Sequence, residues 1–128
     1  MSTITVTNIQ ATGETASRAV SGVAAAWVQY GGASATVAGS FNISSIDDDG
    51  LGDFGVNLSS SMSGSTYAIS LSNDDENAGT ALRVSDVSKG TITASGFDME
   101  TVEMTNSSTN RTNLDLNNVF AVIHGDLA

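Results

Sequence analysis

The chain has 128 residues and a net charge of −10, enough length for one domain with a buried core. Its four cations, Arg18, Arg83, Lys89 and Arg111, are scattered along the chain, whereas nucleic acid and anionic lipid surfaces both require clustered positive charge. With no cysteine there is neither a disulfide nor a thiolate metal site, and no run approaches the ~20 apolar residues of a membrane helix.

Ser, Thr, Asn and Gly stand where charged residues would otherwise be, a composition that favours strands and turns. Met1–Gln10, MSTITVTNIQ, lacks the basic start and apolar run of a secretory signal, and its alternation through Ile4 and Val6 predicts a strand. VSGVAAAWVQY is read as a strand ended by Gly31–Gly32, because Trp27, Val28 and Tyr30 outweigh the short alanine run. FNISSI alternates through Phe41 and Ile43, DFGVNLS through Phe54, Val56 and Leu58, and TYAISLS through Tyr67, Ile69 and Leu71. Each is short and bounded by Gly, Asn, Asp or Ser, the pattern of a sandwich or barrel.

Between Phe97 and Met104 the parity slips, since Phe97 and Met99 share one face while Val102 and Met104 share the other. Strict alternation then predicts a bulge or break near Glu100–Thr101, leaving Asp98, Glu100 and Glu103 facing solvent. VFAVIH, Val119–His124, is apolar at nearly every position and predicts a strand covered on both faces by a second sheet or another subunit. The polar windows 72–80 and 106–113 are expected to be exposed loops. The fold expected is all-β, an antiparallel β-sandwich or jelly-roll-like domain over residues 23–128, with 1–22 as an N-terminal strand and attachment segment.

The aspartates of SSIDDDGLGDF raise the question of calcium. Aligning Gly50 with the glycine of an EF-hand loop puts Val56 where the bidentate Glu belongs, and aligning Gly52 puts Leu58 there. A hairpin turn is favoured, with Asp and Gly supplying its special conformations, over a looser site built from Asp47, Asp49 and Asp53. Asp74, Asp75 and Glu76 lie in the most polar loop, and Asp98 and Glu100 read as a solvated strand face. His124 is the lone histidine, and no GxSxG elbow accompanies it. It is expected to pack rather than to act as a base, although three copies in a trimer could meet around a metal. Four N-x-S/T sequons, at Asn42, Asn57, Asn106 and Asn110, are expected by chance in such a composition. Trp27 and Tyr30 are expected in the core or at a subunit contact rather than as a carbohydrate platform. Neither a cofactor nor a metal is expected.

AWVQYGG (Ala26–Gly32), SFNISSIDDDGLGDFGVNLSSSM (Ser40–Met62), YAIS (Tyr67–Ser70) and FAVIHGD (Phe120–Asp126) together resemble a module recurrent in tailed-bacteriophage fibre proteins. The order and spacing of Phe41, Ile46, Gly50, Gly52, Asp53 and Phe54 carry the resemblance, and residues 72–112 lie outside it. It implies a non-enzymatic virion component on the particle surface, a homotrimer, with no catalytic residues. Two roles follow. One is a short tail fibre adhering to a host-cell surface glycan or receptor through Asp47, Asp49, Asn73, Asp74, Asp75, Asn77, Asn106 and Asn110. The alternative is a capsid decoration or cement protein that contacts other virion proteins, with Met1–Gln10 adding a strand to a neighbouring sheet. A glycan depolymerase is the enzymatic competitor. Trp27, Tyr30, Phe120, Val122 and His124 are the candidate oligomer or core contacts, and Ala24–Ala26 would suit close approach at a trimer axis.

Overall fold

Alternation becomes strand wherever the chain is described. The computed structural model describes residues 23–74, 81–88, 90–105 and 111–128, together with Thr5 and two short strand pieces near the start. Those pieces, β1 (Asn8–Ile9) and β2 (Arg18–Ala19), pair antiparallel. The rest of the attachment segment 1–22 lies outside the described residues, as does most of the strand expected within Met1–Gln10. Then follow β3 (Ala24–Gly31), β4 (Thr36–Phe41), β5 (Ile43–Gly50), β6 (Asp53–Leu58), β7 (Ala68–Asn73), β8 (Ala81–Val87), β9 (Gly96–Thr105), β10 (Arg111–Asn113) and β11 (Val119–His124).

Two antiparallel sheets pack into a β-sandwich. One runs β4-β3-β11-β7; in the other, β5 pairs β6, β6 pairs β9, and β9 also takes β8 and β10. The first contributes Ala26, Val28, Tyr30, Val119, Ala121 and Ile123 to the core. The second contributes Phe54, Val56, Leu58, Phe97 and Met99. Burying these apolar side chains is the main favourable term for the fold. Tyr30 joins the two halves, its ring meeting Phe54 edge-on at 5.2 Å and its hydroxyl donating to Met99 Sδ at 3.3 Å.

Burial raises the Tyr30 hydroxyl pKa well above its ordinary value, because the phenolate would have no water around it. The native state therefore keeps this proton while the unfolded chain releases it above about pH 10. Stability present below that pH should fall as pH rises, by up to about 1.4 kcal/mol per unit from this group. Urea midpoints between pH 9 and 11 should decline for the wild type and decline less for Tyr30→Phe.

Several expectations need correction. FNISSI is not one strand: Phe41 ends β4 in one sheet and Ile43 begins β5 in the other. The single residue between them, Asn42, has φ 56 and turns the corner. Asp47–Asp53 is not an open loop. Asp47 and Asp48 pair with Gly55 and Phe54 inside the β5–β6 ladder, and the turn is only Leu51–Gly52. A register shift between Asp48 and Gly50, with Gly50 at φ 149, lets the ladder continue almost to the tip.

The expected bulge at Glu100–Thr101 is also absent. β9 pairs with β8 without a shift from Val87↔Met99 to Ala81↔Thr105. What changes at Thr101 is the strand on the other side, β6 up to Glu100 and β10 from Val102. The parity slip reflects a change of cover, not a kink. Asp98 and Glu100 do lie on the outer face, but Glu103 shares the inward parity of Phe97 and Met99 and pairs with Arg83.

Thr101 sits fully buried at this handover, its hydroxyl donating to the Leu114 carbonyl at 2.6 Å. Thr101→Val keeps the shape but leaves the Leu114 carbonyl without that donor, so about 1–2 kcal/mol of stability should be lost in chemical denaturation.

Ala25 and Ala26 are buried in the chain's own core, so of the run Ala24–Ala26 only Ala24 is left at the outer face. Their small size serves the interior: at the register shift opposite Ile123 and His124, Ala25 is the extra residue between the paired Ala24 and Ala26. β11 is covered on one face here. Val119, Ala121 and Ile123 are buried, while Phe120, Val122 and His124 are half-buried on the outer face.

Candidate functional site

Charge is divided between the two sheets. β3, β4, β7 and β11 contain no Asp, Glu, Lys or Arg. The strands of the second sheet carry Asp47, Asp48, Asp49, Asp53, Asp86, Asp98, Glu100 and Glu103 against Arg83 and Arg111.

Strand pairing arranges most of these carboxylates on one outer face. Phe54, Val56, Phe97 and Met99 point inward, so the residues between them point out. Asp86, Glu100 and Asp53 stand directly opposite one another across three strands. In the next row Asp98 and Asp47 flank Gly55. Glu100 takes an ion pair from Arg111, and Asp47 accepts Asn57 Nδ2 at 2.8 Å and Ser45 Oγ at 3.2 Å. Opposed like charges weaken a ladder slightly, and acidic side chains on the outer strand β5 discourage edge-to-edge pairing with another sheet. Among the described residues no three His, Asp or Glu side chains gather as metal ligands.

The outer face of the other sheet is uncharged and partly aromatic. Its rows, read from pairing, are Phe41–Trp27–Val122–Ser70 and Gly39–Gln29–Phe120–Ser72, with His124 between Ala24 and Ala68. Trp27 is 43% exposed and Phe41 54%. The Trp27 ring lies across Gly39, where a Cβ would sit 3.4 Å from two ring carbons, Cη2 and Cζ3. One side of the ring rests on the sheet and the other is open. Beyond Phe41 the face runs into a cavity of about 370 Å³ lined by Val23, Ala24, Ala25, Gly125, Asp126 and Leu127. Val23 (57% exposed) and Leu127 (45%) extend the apolar surface there.

At one end of the sandwich the interior becomes polar. Ser85 donates to Asn73 Oδ1 at 2.9 Å, Arg83 pairs with Glu103 at 3.3 Å, and Asn118 donates to Asp74 Oδ2 at 2.6 Å while accepting from Gln29 on the outer face. Ala81 pairs with Thr105, so β8 begins and β9 ends here.

The expected site residues therefore separate. Asp47 and Asp49 are in β5, Asn73 ends β7, and Asp74 is held by Asn118. Asp75, Asn77, Asn106 and Asn110 lie outside the described residues. Of the expected core or subunit contacts, Tyr30 is core, whereas Trp27, Phe120, Val122 and His124 share the outer face. Phe41 was not expected there, although its exposure follows once the Asn42 corner ends β4. No family model matches the chain, and no curated protein or solved structure matches it.

Proposed function

We propose that the chain is a non-enzymatic structural protein of a bacteriophage particle, a short tail fibre that assembles as a homotrimer and adheres to the host surface. The observation that carries this is the back-to-back arrangement of an uncharged, aromatic-bearing sheet and a carboxylate-covered one. One face suits fastening to protein, and the other keeps the assembly soluble and wards off stray strand pairing. The segments that resemble a phage-fibre module support the reading from another side. Their glycines and aspartates serve a tight hairpin and its docking, which is structural work. The host-facing end is assigned to the polar end of the sandwich, where Asn73 and Asp74 stand, β8 begins and β9 ends. Polar loops held by a rigid scaffold are where recognition concentrates, and hydrogen-bonding side chains suit a cell-surface glycan.

Antibody raised against the purified chain, applied to particles that encode it, tests the assignment. A few labels at the tail's distal end are expected. Hundreds of copies spread over the head would replace the fibre with a decoration protein, and no label on the particle would remove the virion reading. Shortening of host polysaccharide by the pure protein would overturn the non-enzymatic part.

A further inference from the structure

We infer that copies of this chain meet through the outer face of the β4-β3-β11-β7 sheet, with Trp27 and Phe41 as its anchors. Each copy carries a charge of −10, so two copies repel wherever acidic surface meets acidic surface. The outer face of the second sheet presents Asp47, Asp53, Asp86, Asp98 and Glu100, and a second copy is turned away there. The four strands of the other sheet contain no Asp, Glu, Lys or Arg. Turning that face inward towards the same face of the other copies around a threefold axis keeps the carboxylate faces apart and removes Trp27, Phe41 and the rest of Val122 from water.

A second copy is favoured over a foreign protein by the same electrostatics. A basic partner would be drawn to the carboxylate face, and a second acidic chain is the one partner for which an uncharged face is required. The residue types fit as well. Trp is among the side chains most enriched at interface hot spots, and such anchors sit at the centre of a contact ringed by near-neutral residues. Here Trp27 stands between Phe41 and Val122 in the described face, with Gln29 in the next row and the small polar Ser70 and Ser72 beyond β11 at the far side. The missing side chain at Gly39 leaves room for the ring to lie against the sheet, and packing there restrains it before any partner arrives, which lowers the ordering cost of association.

The inference rests on the homomeric part of the proposed function. It is nevertheless tested apart from the virion assignment, because sedimentation reads the contact and particle labelling reads the location. The full chain is measured by sedimentation equilibrium from low to high micromolar concentration, at about 0.1 M and about 1 M salt, where the screening length falls from about 10 Å to 3 Å. Association should tighten with salt, since screening removes repulsion and the contact itself contains no ion pair. Trp27→Ser and Phe41→Ser should each weaken association by about 30-fold or more, with melting close to wild type when both are read dilute enough to be monomeric, because both side chains lie outside the core. Asp47→Ser with Asp98→Ser, on the opposite face, should leave association equal or stronger. A wild type that stays monomeric at high salt overturns the inference. So does association that survives the double Trp27→Ser, Phe41→Ser variant. Protection of Trp27 fluorescence from iodide by a soluble glycan, with the chain monomeric, would make this face a sugar platform instead.

Discussion

Gly52→Ala is expected to lose about 3–4 kcal/mol of stability, a large part of what a domain of this size has in reserve. Two effects combine. Gly52 has φ 66, where an L side chain costs roughly 1 kcal/mol or more. A Cβ there would also stand 2.7 Å from the Leu114 nitrogen and 3.2 Å from Asn113 Cβ, too close for either to remain. The first obstacle is backbone, so relief means moving the hairpin tip as a whole, and overpacking of this kind costs about 1–3 kcal/mol.

The tip cannot move freely, because it is a junction. Gly52 N–H donates to Asp115 Oδ1 at 2.7 Å, and the Gly52 carbonyl accepts from Thr101 N–H at 2.8 Å. Leu114 N–H donates to the Thr101 carbonyl at 3.0 Å, and Gly32 N–H to the Leu116 carbonyl at 2.7 Å. Through Leu114–Leu116 the β5–β6 turn is thus tied to both sheets. Gly64→Ala is the control, since a Cβ there meets nothing within 4 Å. Urea denaturation should show Gly64→Ala close to wild type and Gly52→Ala far below it. Equal midpoints would mean the tip is not the junction described.

The same residues show what the sequence made legible. Phe54, Val56 and Leu58, and Ile69 and Leu71, alternate in the sequence and alternate in the fold, because a strand with one face in a core must follow its period of two. The sandwich followed from such runs. The aspartates of IDDDGLGD were correctly expected at a hairpin but placed in its loop. Pairing of Asp47 and Asp48 into β5 depends on partners in β6 that neutralise nothing and only complete a ladder, which a local count of polar residues does not reveal. Trp27 was legible and overlooked: it is out of phase with Ala26, Val28 and Tyr30, so parity alone sets it on the opposite face from Tyr30. The division of charge between sheets was not legible, because it requires knowing that β7 joins β3 while β8, which follows it in sequence, joins β9. Only topology gathers the uncharged strands. The parity slip at Thr101 misled for the opposite reason. Alternation assumes constant cover along a strand, and β9 outruns the apolar core into a polar one.

Asn42 carries the second large effect, because one residue changes sheets there and satisfies both. Its Nδ2 donates to the Ala25 carbonyl at 3.2 Å and to the Ser60 carbonyl at 3.1 Å, and its Oδ1 accepts from Ser60 N–H at 2.7 Å. Ala25 is the extra residue at the β3–β11 register shift, and its carbonyl accepts from the Asn42 side chain there. Asn42→Ala removes all three bonds and leaves a Cβ at φ 56, for an expected loss of about 3 kcal/mol. Asn42→Gly removes the same bonds but suits the left-handed backbone, and should lie about 1 kcal/mol closer to wild type. Asn42→Asp keeps the acceptor for Ser60 N–H and loses both donors, so it should fall between wild type and alanine. Measured unfolding free energies would then rank wild type first and alanine last. An alanine variant as stable as the glycine variant would show that the corner does not depend on backbone handedness. A glycine variant matching wild type would show that the side-chain bonds contribute nothing across the two sheets.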